Sequence, residues 1–134
     1  SVIDNVTLPC QFSTIRKQQV TESKNSLQAT AQDLLLRLKL PQALMDKPVT
    51  ELSIGQQQRV AAARALMGQP KIIIADEPTS ALDHDNREAF IELLLEKANQ
   101  AGSTLIFVSH DPTLEKLVTR TIDLKTVNQA KVVV

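Results

Sequence analysis

Ile72-Ile73-Ile74-Ala75-Asp76-Glu77-Pro78 is the stretch from which the rest of the chain is placed. Four apolar residues without alternation, three of them β-branched, read as a strand buried on both faces, as in a parallel sheet. Thr104-Leu105-Ile106-Phe107-Val108 reads the same way. Between them, Asp83-His84-Asp85-Asn86 offers N-cap residues for a helix running to about Ala101. Phe90, Leu93, Leu94, Lys97 and Ala98 repeat there with helical period, and Gly102 suits the C′ position. Strand, helix, strand at this spacing is a βαβ crossover, so the strands are expected to be parallel neighbours or near-neighbours.

The acids after the first strand fall where ligands bind in open α/β sheets, at the carboxyl end of a strand. Their side chains point in different directions, so one of them can reach a metal while the other reaches a water. Mg²⁺ takes oxygen ligands, commonly one or two carboxylates completed by phosphates, and a second carboxylate can then orient or deprotonate the attacking water. On these two residues alone, a pair of strand-end acids solvated in a loop fits equally. His110 follows the second strand and can reach the same pocket, although a single histidine there also reads as a loop residue. His84 has only the loop reading.

Upstream, Leu52-Ser53-Ile54-Gly55-Gln56 opens a helix with the S-x-x-Q spacing of a capping box. The Ala-rich run from Val60 to Leu66 continues it, and Gly68 and Pro70 end it. A capped helix start offers backbone N–H groups, a hydroxyl and a positive dipole end to an anion, while spacing alone also fits an ordinary cap. Before it, Leu27, Ala31, Leu34, Leu35 and Leu38 form one stripe of an amphipathic helix that Ser26 caps and Pro41 helps stop. Gln18 to Asn25 is polar and unpatterned and reads as loop or frayed helix; Pro48 marks a further break. After Pro112 a short helix is expected, then a closing hairpin with strands near Thr121–Leu124 and Lys131–Val134.

Composition narrows the chemistry. The 134 residues hold 15 basic and 15 acidic side chains, no Trp, no Tyr and one cysteine, Cys10. Zero net charge argues against a nucleic-acid-coating protein. A single thiol excludes an intrachain disulfide and fits a reducing compartment. No apolar run approaches the ~20 residues that span a bilayer. The only glycines, Gly55, Gly68 and Gly102, are too far apart for G-x-x-x-x-G-K-[ST] or G-x-G-x-x-G, and none precedes a lysine. The usual phosphate loop is therefore not in this sequence.

Taken together and in order, these segments resemble the C-terminal part of an ABC-transporter ATP-binding subunit. Leu52 to Gln56 is similar to the family signature, followed by Gln57-Gln58-Arg59-Val60 and Ala63-Arg64-Ala65-Leu66. Ile72 to Glu77 is similar to the Walker B strand, Ser80-Ala81-Leu82-Asp83 to the D-loop, and His110 to the switch histidine. Ala75-Asp76-Glu77-Pro78-Thr79 and the early Asn5-Val6-Thr7-Leu8-Pro9 are similar to the lipoprotein-release and macrolide-export branch. The fold implied is α/β: a partial P-loop NTPase lobe in which residues 1–68 form the helical, signature-bearing subdomain. Residues 69–134 then form the C-terminal part of the ATPase core, with its parallel strands, crossover and hairpin.

The resemblance implies ATP and Mg²⁺ as ligands. Asp76 holds Mg²⁺ directly or through water, Glu77 is the general base, and His110 contacts the γ-phosphate. Ser53, Gly55 and Gln56 contact ATP held by an opposite subunit in a head-to-tail dimer, and Asp83 crosses that interface. The implied partners are a second ATP-binding subunit and an integral-membrane subunit touching the region from about Val6 to Asp46, with no nucleic acid. The implied location is the cytoplasmic face of the cell membrane. Two departures stand out. Ile54 replaces the family's usual Gly, and the phosphate loop, adenine-stacking aromatic and Gln lever would lie before Ser1, so the sequence reads as a truncation. Such a piece is expected to bind ATP weakly, not to hydrolyse it, and to self-associate through strands that have lost their cover. The alternative is the C-terminal lobe of an SMC- or Rad50-like DNA-maintenance protein or of a translation-associated ABC protein. Against it, no heptad array or charged linker is present.

Overall fold

In a computed structural model, residues 1–23, 25–79 and 84–128 are described, residues 84–86 by backbone only. The first half is helical: α1 (Val2–Thr7), α2 (Pro9–Phe12), α3 (Thr14–Glu22), α4 (Leu27–Arg37) and α5 (Ile54–Leu66), with 3₁₀ turns at Gln42–Leu44 and Val49–Glu51 before α5. The second half holds β1 (Ile72–Asp76), α6 (His84–Gln100), β2 (Thr104–Val108), a 3₁₀ helix at Pro112–Leu117 and α7 (Leu124–Val127).

The expected α4 stripe is the buried one: Ala31, Leu34, Leu35 and Leu38 face the core, and the Ser26 hydroxyl accepts the Ala29 N–H. Val2 and Val6 of α1 and Val60, Ala63 and Leu66 of α5 close the same apolar cluster. Burying each such side chain contributes roughly 1.5–3 kcal/mol, which makes packing rather than propensity the main support of these short helices.

The expected loop or frayed helix at Gln18 to Asn25 is helical in its first part, because α3 runs through Glu22. Ser13 caps its start by accepting the Arg16 N–H, Val20 is buried, and Thr21 Oγ1 bonds the carbonyls of Lys17 and Gln18. Arg16 Nη1 also donates to the Met67 carbonyl, 3.2 Å away, just past the end of α5. That contact explains Gly68: its φ is +73°, and a Cβ there would lie 2.5 Å from the Cβ of Arg16.

β1 and β2 pair in parallel with α6 between them in sequence, as the crossover requires. Ile73 pairs with Leu105 and Ala75 with Phe107; these face the cluster that includes Phe90, Ile91, Leu94 and Ala98 of α6. The opposite face corrects the expectation of strands buried on both sides. Ile72 and Ile74 are 60% and 70% exposed, and Ile106 and Val108 are also exposed, because only one side of this two-stranded sheet is covered among the described residues. Apolar clusters of the helical half and the βαβ half are nevertheless continuous, through Leu66, Met67 and Ile73.

The closing hairpin is corrected at its first strand. Thr121 to Asp123 has no strand structure, and Leu124–Val127 is helical. The Asp123 carboxylate accepts the Lys125 N–H and the Thr126 hydroxyl donates to the Asp123 carbonyl, so local bonds satisfy a segment that no strand pairs with among the described residues. The expected second strand, Lys131–Val134, lies outside the described residues, as do Ser80 to Asp83.

Candidate functional site

Two parallel strand tips build the acidic site. Asp76 ends β1 opposite Val108, the last residue of β2, and its side chain lies on the uncovered face. Glu77 leaves the strand with φ +44°, a left-handed conformation uncommon for a side chain of this size. Two bonds from the end of β2 hold it there. The Glu77 N–H donates to the Val108 carbonyl at 2.9 Å, and Glu77 Oε1 accepts the His110 N–H at 2.9 Å. The His110 ring nitrogen Nε2 stands 3.6 Å from the same Oε1, and the ring is otherwise fully open to solvent. The structure therefore brings Asp76, Glu77 and His110 together, as the sequence implies.

Beyond His110 lies a second tier that sequence reading passed over. The Asp111 N–H donates to Ser109 Oγ, and Asp111 Oδ1 accepts both the N–H and the hydroxyl of Thr113. Its other oxygen, Oδ2, accepts from Arg87 Nη1 at 3.2 Å. The Thr113 bonds, aided by Arg87, hold the Asp111 carboxyl below the ordinary carboxylate range. Arg87 had a detectable signal. A cation in the first turn of a helix opposes the helix dipole, and such a residue calls for an anionic partner from elsewhere.

The helix cap forms the other candidate element. Gln56 N–H donates to Ser53 Oγ at 3.3 Å and Ser53 N–H to Gln56 Oε1 at 3.0 Å, which completes the expected capping box. Ile54 takes the first helical position with its side chain 70% exposed. It borders a shallow groove of about 330 Å³ shared with Asn5, Val49, Gln57 and Arg64. No hydrogen bond or ion pair among the described residues joins Ser53, Gly55 or Gln56 to Glu77 or His110. The helix cap and the acidic strand tip are therefore not joined by a direct polar contact among the described residues. Asp83 lies outside the described residues.

Among the described residues no cluster of three or more His, Cys, Asp or Glu side chains is arranged to hold a metal. The exposed Asp76 carboxylate instead fits a hard cation that completes its shell with phosphate oxygens and water. No described helix is long and apolar enough to cross a membrane.

Comparison with known proteins agrees with this geometry. The family model "ABC transporter" matches residues 3–80. The chain is 40% identical over 125 residues to the lipoprotein-releasing system ATP-binding protein LolD of Shewanella sp. strain MR-4, covering 93% of this chain and 51% of that protein. It is 41% identical over 125 residues to the macrolide export ATP-binding/permease protein MacB of Vibrio parahaemolyticus, covering 93% of this chain and 18% of that protein. The dimeric bacterial ABC transporter cassette MJ0796 superposes with a TM-score of 0.70 at 32% identity, over 87% of this chain and 48% of that one. The same cassette in a post-hydrolysis dimer with ADP and Pi gives 0.68, over 85% and 47%. The chain therefore spans about half the length of a LolD-type relative. With the signature helix, the acidic strand tip and the histidine each in place, and the family model matching more than half of its residues, the chain belongs to the ABC transporter family.

Proposed function

We propose that this chain supplies the signature helix, acidic strand and switch histidine of an ATP-hydrolysing subunit that powers transport across a membrane. The observation that carries the reading is the convergence of Asp76, Glu77 and His110 on adjacent parallel strand tips, with Glu77 held by the His110 N–H. Residues 1–68 act as the signature-bearing helical subdomain and 69–134 as the acid-bearing part of the ATPase core. The phosphate-gripping half is provided by sequence outside these 134 residues, on the same polypeptide or another.

In this reading Asp76 would hold Mg²⁺, which would supply charge neutralisation to the phosphates of ATP. Glu77 accepts the proton of the attacking water through its carboxylate, whose position is fixed from β2. His110 presents Nε2 toward the γ-phosphate side, where a donor stabilises charge that develops as the bond to the leaving phosphate breaks. Ser53, Gly55 and Gln56 bind ATP held by a second subunit, and Asp83 crosses the dimer interface. The dimeric cassettes that the chain resembles support this head-to-tail arrangement.

A membrane-embedded partner contacts the region between Val6 and Asp46, where Phe12 and Ile15 are exposed. The chain then works at the cytoplasmic face of the cell membrane. Lipoprotein release or macrolide export is the transport class that its relatives favour. The short helices before Leu52, none longer than the 11 residues of α4, support transport over a coiled-coil DNA-maintenance protein. ATP hydrolysis by the full-length protein carrying this chain, lost on Glu77→Gln, tests the reading. Wild-type protein that binds ATP but never releases phosphate would overturn it.

A further inference from the structure

We infer that Arg87 is a positioning residue for the Glu77–His110 pair, acting through Asp111 from the first turn of α6. The inference rests on the ATPase reading for its catalytic consequence, and on geometry alone for its structural one.

Arg87 Nη1 meets Asp111 Oδ2 at 3.2 Å, with both side chains only partly exposed, so the pair is less screened than a fully solvated one. The remaining bonds of Asp111 are short-range: Thr113 and Ser109 lie within the same turn. Arg87 is thus the long-range polar tether of this turn, beside the apolar anchor of buried Leu114, and joins it to a helix 24 residues earlier in sequence. Arg87 Nε is buried without a hydrogen-bond partner among the described residues. The guanidinium is therefore oriented by Asp111 rather than by the fullest use of its donors. A cation in the first turn of α6 also runs against the helix dipole, which leaves the Asp111 contact as the interaction favouring this placement.

The tether reaches the chemistry through one peptide unit. The plane joining His110 to Asp111 is set on one side by Asp111's bonds, and the adjoining His110 N–H points to Glu77 Oε1 at 2.9 Å. Glu77 has a left-handed φ, so it depends on such outside bonds to stay in place. With Arg87 removed, the turn keeps its local bonds but loses its anchor to α6. The His110 amide and ring then sample other orientations, and Glu77 loses a fixed partner. Asp76, on the strand itself, is unaffected. α6 starts directly after Ser80 to Asp83, so the same ion pair links the beginning of that helix to the histidine turn.

The test has two arms on Arg87→Ala, Arg87→Lys and Asp111→Asn. In the full-length protein carrying these residues, Arg87→Ala is expected to lower kcat for ATP hydrolysis about tenfold with KM within about twofold. Arg87→Lys, which can keep one charged donor on Asp111, recovers most of that loss. In the 134-residue chain, hydrogen exchange followed by NMR is expected to show the His110 amide exchanging about tenfold faster in Arg87→Ala and Asp111→Asn. The Ile73 and Ile74 amides, inside β1, should stay unchanged. An Arg87→Ala protein with wild-type kcat, or a His110 amide with unchanged protection, overturns the inference. So does a uniform rise in exchange across β1 and β2, which would mark Arg87 as a general stabiliser. If the wild type hydrolyses no ATP, the functional reading fails while the exchange arm still decides the role of Arg87.

Discussion

Glu77 Oε1 accepts the His110 amide at 2.9 Å and faces the His110 ring nitrogen at 3.6 Å, so one residue holds the acid by its backbone and addresses it by its side chain. The backbone contact survives any change of the ring, and the ring contact is made from a side chain free to turn toward a phosphate. Acid and histidine are therefore separable by mutation.

Glu77→Gln keeps an oxygen for the His110 N–H and removes the carboxylate proposed as the base. In the full-length protein, phosphate release is expected to fall by about 10²–10⁴-fold with little change in nucleotide affinity. Stopped-flow phosphate detection beside equilibrium binding checks it, and a parallel loss of binding would assign Glu77 to the nucleotide grip instead. His110→Ala keeps the amide bond to Glu77 and is expected to lower kcat without displacing the acid.

Much of this site was legible because each part leaves a local signature. An unbroken β-branched run followed by Asp76 and Glu77 marks a parallel strand and its carboxyl tip, and Ser53 with Gln56 marks a capped helix start. Arg87 signals the need for an anion by its place in the first turn of a helix, but its partner Asp111 was not legible, since an ion pair between a helix start and a distant turn has no periodicity. The segment from Gln18, expected as loop or frayed helix, is helical through Glu22, and the burial of Val20 and the Arg16–Met67 bond that accompany it are contacts between distant residues. The exposure of Ile72 and Ile74 follows from what packs on the sheet, which the strand's own residues do not encode.

Two glycines with left-handed backbone separate conformational strain from crowding. Gly68 has φ +73° with Arg16 pressed against it, whereas Gly102 has φ +60° with nothing within 4 Å of an added Cβ. Gly102→Ala is expected to destabilise by about 1 kcal/mol, from backbone strain alone. Gly68→Ala adds a clash with α3 and is expected to cost roughly 2–4 kcal/mol. Urea unfolding of both variants checks the order; equal losses would mean that α3 moves aside freely.

The Asp111 carboxyl is held down first by Thr113 and only then by Arg87. Its native pKa lies below the unfolded value, so its stabilising effect is present above the ordinary carboxylate range and is lost as pH falls through the native value. Thr113→Val removes the hydroxyl bond and should raise the Asp111 pKa more than Arg87→Ala does. Carbon-detected NMR titration of both variants reads this directly. The reverse order would make the ion pair, rather than the turn, the main holder of the charge.

Among the described residues, Ile72, Ile74, Ile106 and Val108 form an apolar strip on the uncovered side of a two-stranded sheet, which also has two open edges. Both features favour association through strand pairing or face-to-face packing. The 134-residue chain is therefore expected to self-associate at micromolar concentration. Ile74→Lys with Ile106→Lys should shift it toward monomer, because the two side chains pair in register and a like-charged pair disfavours a second apolar layer. Folding should survive, since neither side chain belongs to the buried cluster. Multi-angle light scattering across a dilution series reads the outcome. A wild-type chain that stays monomeric at high concentration would mean that this face does not drive association.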